Sequence, residues 1–569
     1  GLTFGNTVSI ENVNLDANGS NNALNGKGIQ YTVNASQVVG STLIQNANIS
    51  NTGTAGTNNS GMVVSFLNAA NVTGLRLVDS SITNSFGDGF QMLNPYMTTT
   101  PFALGFTRAT LTGNTNNGID ITLPNLSLLN PTLNLTLTNT TVSSNGTAGV
   151  GSTDSNGLFV DASNTLNSTA TVNVNILSDN TTANAVSGLF QSQFNSNRGM
   201  GVFLSASDTF AANQATVNLN VSGTGGTNNF NSNGDAGVGF LLAGTAHGTA
   251  IASNATFNNS VNRGLHGANF LGDGFAVFLQ GTAAAPPQAT FNNSTLGDAV
   301  LNNTQLSSNA GSGFRMTTSL NGSSNGMTIR NATITNNTGN GVTFLRNAGI
   351  LSAGPYIQNA VISGSTISGN LRGIDIASEF ATGADSYSIS GNTISNNRSH
   401  GINLFTQADA DLTVTIDNNT INTNSGDGIR GTQNIGALDV STMVGVVTNN
   451  TIRFNTQNGI DITALHQFNI GVNGALAVNS NTISNNTLDG IVITGSTIPL
   501  TQDRIISNTI RNNGNNGVTI NSAGAESVVI QNNNATFTTP GGFLGGINNN
   551  GNDGVQLNAV NGTLTATVG

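Results

Sequence analysis

The stretch Asn392-Thr393-Ile394-Ser395-Asn396-Asn397, followed after three residues by Gly401-Ile402-Asn403-Leu404, decides the fold. Both halves of it return. Thr-Ile pairs begin at Thr333, Thr366, Thr393, Thr420, Thr451, Thr482 and Thr509, and four residues after each Thr stands Asn337, Asn370, Asn397, Asn424, Asn455, Asn486 or Asn513. The phrase Gly-apolar-any-apolar recurs seventeen times between Gly28 and Gly554, at a mean spacing of about 33 residues. The residue after the Gly is apolar in all seventeen, and the one two further on in sixteen, Gly431 being the exception. Apolar residues at every second position make a strand with one buried face.

One such strand cannot bury its face alone, so the repeat predicts a stack of coils in which equivalent residues form continuous columns. The uneven spacing excludes hexapeptide and nonapeptide solenoids and fits coils of three strands joined by loops of variable length. The expectation is an all-β parallel β-helix of about seventeen coils at a rise of ~4.8 Å each, a rod near 80 Å long. The Asn that follows each Thr-Ile pair suits a turn, where it tolerates positive φ and its amide can bond to the equivalent amide one coil along. The residue before the Gly is Asp or Asn in ten of seventeen phrases, and from Asp427 it alternates through Asn458, Asp489, Asn516 and Asp553. Alternation holds like charges two rises apart. It favours turn residues over a calcium-binding row, which would need several oxygen ligands converging on one point; no cofactor or metal is expected.

Between residues 122 and 300 the coils lengthen and carry alternating runs such as Leu133-Asn134-Leu135-Thr136-Leu137 and Thr171-Val172-Asn173-Val174-Asn175-Ile176. Leu158 to Leu177 matches Val202 to Val221 almost phrase for phrase, so the lengthening is repetition and not an inserted domain. The whole chain, 1–569, is therefore expected to be one continuous helix, most regular over 301–560.

Composition narrows the function classes. Thirteen Arg and Lys27 face 22 Asp and 3 Glu, for a net charge of −11, which disfavours nucleic acid and anionic membrane as partners. There is no cysteine, hence neither a disulfide framework nor a thiolate metal site, and no apolar run of the roughly 20 residues that would span a bilayer. The chain opens on Gly1 with strand-like sequence at once, which reads as a processed chain or part of a longer one. Leu2 to Ile10 and Val555 to Val568 look like repeat strands without a cap, so either head-to-tail self-association or further sequence is expected to cover the end coils. Asn-x-Ser/Thr triplets at Asn34, Asn48 and Asn336 are what chance produces in a chain this rich in Asn, Ser and Thr.

The phrase Asn392 to Asn397 with Gly401 to Leu404 resembles the right-handed parallel β-helix repeat of the pectate-lyase-like superfamily, over nearly the whole chain and most clearly from Gly313 to Leu557. The resemblance implies the fold and its right-handed sense. It does not imply one activity, since the superfamily holds lyases, hydrolases, adhesins and tailspikes. Polygalacturonase-like members carry an Asp-Asp pair, a Gly-His-Gly and an Arg-Ile-Lys. Here no two Asp are adjacent, the nearest His phrases are Ser399-His400-Gly401 and Leu265-His266-Gly267, and the only Lys is Lys27. The calcium-and-base constellation implied by pectate lyases has no counterpart either.

The third position of the Gly phrase should face outward, and successive coils place Asp375, Asn403, Arg430 and Asp461 there, with Arg372, His400 and Asp427 just before the Gly. This gathers the densest ionisable patch into a candidate glycan-binding surface, read against an exposed salt-bridge ladder worth little. An ice-binding Thr face is less well supported, because Arg453 and Arg511 interrupt it. The sequence thus favours a secreted or cell-surface structural solenoid of a bacterium, non-enzymatic, serving as a filament, surface-layer or adhesive rod. The alternative is a carbohydrate-active enzyme or glycan-binding protein using the patch from Arg372 to Asp461, with polysaccharide as its partner.

Overall fold

The computed structural model describes residues 7–16, 26–33, 38–53, 59–66, 71–93, 101–123, 131–147, 155–163, 170–184, 186–208, 214–281, 289–292, 295–296, 304–319, 322–347, 358–379, 384–407, 410–434, 441–471, 481–497, 502–522, 524–531, 533, 547–559 and 563–569. They belong to two compact units, Gly1–Phe314 and Arg315–Gly569. Each is a stack of parallel β-coils.

In the C-terminal unit the Gly phrases form one row of strands, including Ile374–Glu379, Ile402–Gln407, Ile429–Asn434 and Val518–Ser522. Neighbours pair in parallel without slippage, as in Ile374↔Ile402 and Ile402↔Ile429. A second row runs through Ala384–Ser390, Asp411–Asp417 and Thr442–Thr448. The Thr-Ile pairs make the third, as three-residue strands such as Thr393–Ser395 and Thr420–Asn422. Three strands per coil is thus the observed plan. Equivalent Ile residues stack in the interior, with Ile374, Ile402, Ile429, Ile460 and Ile491 all at 0% exposure. The Gly that opens each phrase is required by close approach: a Cβ on Gly401 would lie 2.6 Å from the carbonyl oxygen of Gly428 and 2.7 Å from Ile421 Cγ2.

The Asn residues do form a ladder. Asn370 Nδ2 donates to Asn397 Oδ1, Asn397 Nδ2 to Asn424 Oδ1, and Asn424 Nδ2 to Asn455 Oδ1. Each also donates to a main-chain carbonyl, as Asn424 Nδ2 does to Ile394. Positive φ, however, belongs to the residue before the ladder Asn: Asn336, Asn396, Thr423, Phe454, Asn485 and Asn512. The turn strains its first residue and uses the second for hydrogen bonds, so even Thr and Phe are accepted at the strained place. A second ladder, Asn392, Asn419, Asn450, Asn481, Asn508 and Asn533, fills the turn between the second and third rows.

The N-terminal unit repeats the plan with longer strands. Thr132–Thr138, Thr171–Ser178 and Thr216–Gly223 alternate buried and part-exposed residues along their length, as the runs of the lengthened coils predict. On their wet side Asn173 Nδ2 donates to Asn134 Oδ1 and Asn218 Nδ2 to Asn173 Oδ1. Its own buried ladder joins Asn114, Asn145, Asn197 and Asn233. One phrase is out of step with the sequence reading. Val202 pairs with Val238, and a Cβ on Gly201 would meet the carbonyl of Gly237, so Gly237 and not Gly239 opens that coil's phrase. A shift of two residues keeps the same side chains inward, so the apolar pattern did not reveal it.

Candidate glycan-binding row

All seven candidate residues lie along one face of the C-terminal unit. Asp375 pairs with Asn403, and Arg430 with Asp461, in the strand register, which aligns the third positions across successive coils. The patch differs from an exposed ladder, because most of it is packed: Asp427, His400 and Asn403 are buried, and Asp375, Arg430 and Asp461 are half-buried.

Arg372 Nη1 lies 3.0 Å from both carboxylate oxygens of Asp375, which also accept from Asn340 at 2.9 Å and Asn403 at 2.8 Å. His400 is boxed on both sides. Its Nδ1 stands 3.0 Å from the Asp427 backbone nitrogen and 3.2 Å from Asp427 Oδ2, and its Nε2 stands 3.0 Å from Arg430 Nη1. A ring whose two nitrogens face protein groups in this way has no free lone pair to offer as a general base.

The residues before the Gly form a ladder of their own. Asp427 Oδ1 accepts from the Asn458 backbone, Asn458 Oδ1 from Asp489, Asp489 Oδ1 from Asn516, and Asn516 Oδ1 from Asp553. The ladder bond itself takes only an acceptor oxygen, which Asp and Asn both supply, while Asn516 also donates to Thr519 Oγ1 and Gln556 Oε1.

Asp461 stands apart. Among the described residues its carboxyl has no hydrogen-bond partner, and its pKa is raised to about 6, by burial first and then by the nearby carboxylates of Asp427 and Asp489, against the lowering influence of Arg430 and His400. A carboxyl group whose folded value exceeds its unfolded one destabilises the fold when ionised. The penalty is absent well below pH 4, grows as the pH rises toward about 6, and is complete above it. Asp461→Asn is therefore expected to leave the melting temperature unchanged near pH 3 and to raise it near pH 8, by less than about 1 kcal/mol of stability because solvent screens the group. Equal shifts at the two pH values would show that its neighbours do not act on it.

Sequence reasoning missed Asn340, Thr343, Asp489 and Thr519 as members of the row, although they occupy the same two phrase positions one or more coils away. It also missed an interior ion pair, Arg346 with Asp385, whose side chains are enclosed. Asp385 further accepts from Ser378 Oγ and the Gln358 backbone. The signal was Arg346 at the inward place that follows Val342 and Phe344. Sealed in the coil, this pair serves the fold. No group of three or more His, Cys, Asp or Glu that could hold a metal occurs among the described residues, and no helix among them is long and apolar enough to cross a membrane.

The sequence matches the family described as "Right handed beta helix region" over residues 265–434, 320–503 and 380–564. Comparison with curated proteins gives no match. Solved structures with a similar fold include the periplasmic alginate epimerase AlgG, at 12% identity over 70% of this chain and 77% of that one, TM-score 0.26. The A-module of the Azotobacter vinelandii mannuronan C-5 epimerase AlgE6 is 13% identical over 81% and 91%, TM-score 0.27. The Dettilon tailspike protein gp208 is 11% identical over 75% and 62%, TM-score 0.28.

Proposed function

The chain belongs to the right-handed β-helix family, and we propose that it is an extracellular or cell-surface solenoid that binds polysaccharide through the row from Arg372 to Asp461 without cleaving it. The observation that carries the reading is Asp461: a half-buried carboxyl without a hydrogen-bond partner among the described residues, set beside side chains that bond to one another. A partly desolvated carboxyl that bonds to no described protein group can exchange solvent for a ligand that brings hydrogen-bonding groups. Sugar hydroxyls donate and accept in turn, and coils ~4.8 Å apart present a repeating polar surface to an extended chain. Below about pH 6 Asp461 is neutral and both donates and accepts; above it the group accepts only.

The pairing of Arg372 with Asp375 and of His400 with Asp427 and Arg430 favours binding over bond breaking. Arg372 is committed to Asp375, and His400 is held between Asp427 and Arg430, so neither is a free acid or base. The structural and adhesive role keeps its own support in the amide ladders, which stiffen the stack over many coils. A carboxyl with a pKa near 6 would also suit a general acid, which makes product formation the outcome to look for.

The test is a glycan array paired with reducing-sugar and unsaturated-product assays on every glycan retained. Retention without product is expected, together with at least a tenfold loss of affinity in Asp375→Asn/Asp461→Asn and a pH dependence centred near 6 that disappears in Asp461→Asn alone. Failure to retain any glycan would remove the reading, and product formation abolished by Asp461→Ala would replace it with an enzyme.

A further inference from the structure

The N-terminal unit carries an open groove of about 580 Å³ lined by Ser144, Asn145, Thr147, Ser196, Arg198 and Arg263. Its floor is fixed. Asn145 belongs to the buried ladder, donating to Leu111 O and Asn197 Oδ1 and accepting from Asn114, and Arg198 N donates to Asn145 O. Ser144 and Ser196 are consecutive rungs of one turn, both at positive φ and both exposed, so their hydroxyls stand on the groove's rim beside that of exposed Thr147.

Arg263 arrives from a different segment, the excursion between Asn259 and Asp273, and buried Asp235 pins that segment. One Asp235 oxygen accepts from the Arg263 backbone at 2.7 Å. The other accepts from the His266 backbone and faces His266 Nδ1, each at 2.8 Å. The Asp235 carbonyl accepts from Gly272 and Asp273, and Phe270 is buried against Phe203. The segment is thus fastened on both sides of Arg263, which sets where its side chain begins.

Among the described residues neither guanidinium makes an ion pair or a side-chain hydrogen bond. In a chain of net charge −11, two unneutralised cations that line one groove rimmed by hydroxyls mark a place where negative charge is wanted. We infer that this groove binds the oxyanion groups of an acidic saccharide, carboxylate or sulfate ester, through Arg198 and Arg263, with the Ser144, Ser196 and Thr147 hydroxyls meeting the sugar. A planar guanidinium matches either oxyanion with two parallel N–H bonds, and an open groove admits a chain where a closed cavity would select a small molecule.

The inference does not rest on the row of the C-terminal unit. Isothermal titration of the full chain would compare an oligogalacturonide, a sulfated oligosaccharide of equal length, a neutral oligosaccharide and sodium sulfate. One or both acidic oligosaccharides should bind, the tighter naming the group. Arg198→Gln/Arg263→Gln should lose at least tenfold in affinity at unchanged melting temperature, and added salt should weaken the wild type more than the variant. Arg263→Lys, which keeps the charge but not the fork, should fall between. Unchanged affinity in the double variant, no binding of either acidic oligosaccharide, or sodium sulfate bound as tightly as the sulfated sugar would each overturn it. Asp375→Asn/Asp461→Asn run in parallel keeps the two sites separate: it should retain the affinity that depends on the arginines, and loss confined to it would concern the row alone.

Discussion

Ile460→Asp is expected to remove roughly 4 kcal/mol or more of stability, as measured by denaturant unfolding. Ile460 is at 0% exposure and lies in register between Ile429 and Ile491, themselves fully buried. A carboxylate there would lose its hydration and find neither a cation nor a donor, because the column above and below it is aliphatic. Protonation lowers the cost but leaves an unpaired carboxyl in place of a well-packed isoleucine. The neighbouring residue supplies the control. Asp461 points to the other face of the same strand, and its replacement by Asn is worth under about 1 kcal/mol. Losses of equal size for the two variants would mean that the strand's inward and outward faces are wrongly assigned.

That assignment was legible because one rule, alternation, is enforced at every coil. A stack repeats the same burial decision many times, so inward residues such as Ile402 and Leu404 stand out against Asn403 without any knowledge of partners. The Asn ladder was legible for the same reason. What alternation does not encode is anything that depends on the turns. The positive φ of Thr423 and Phe454 was invisible because neither residue type announces it. The second ladder at Asn419 and Asn450 was hidden among many other Asn residues. Gly237 and Gly239 both satisfy the phrase, and only the backbone pairing separates them. The candidate row was legible in part of its membership but not in its character. Position along the phrase brings Asp375, Asn403, Arg430 and Asp461 together, whereas the burial of His400 and Asp427 comes from packing and ladder bonds that sequence spacing does not carry.

The ladders themselves support the second large effect, the loss expected when Asn424 becomes Ala. Asn424 Oδ1 accepts from the Asn397 backbone at 3.1 Å and from Asn397 Nδ2 at 2.9 Å, while Asn424 Nδ2 donates to Ile394 O at 3.3 Å and to Asn455 Oδ1 at 3.0 Å. Alanine removes both ends. It strands the buried backbone N–H of Asn397 and takes a partner from Asn397 Nδ2 and from Asn455 Oδ1, and at about 1–3 kcal/mol for each buried group left unpaired the cost should reach roughly 3 kcal/mol or more. Asn458→Ala makes the comparison, since its Oδ1 accepts one backbone N–H, that of Asp489, on a half-buried rung. It should cost about 1 kcal/mol, a third of the other. The difference follows from what each turn asks of its side chain. The ladder through Asn424 uses acceptor and donor together, which only an amide supplies, and the chain keeps Asn there from Asn337 to Asn513. The rung through Asn458 uses the acceptor alone, and there the chain alternates Asp with Asn. Equal unfolding midpoints for Asn424→Ala and Asn458→Ala, measured under one set of conditions, would show that the donated bonds contribute nothing and that the choice of Asn over Asp reflects charge avoidance alone.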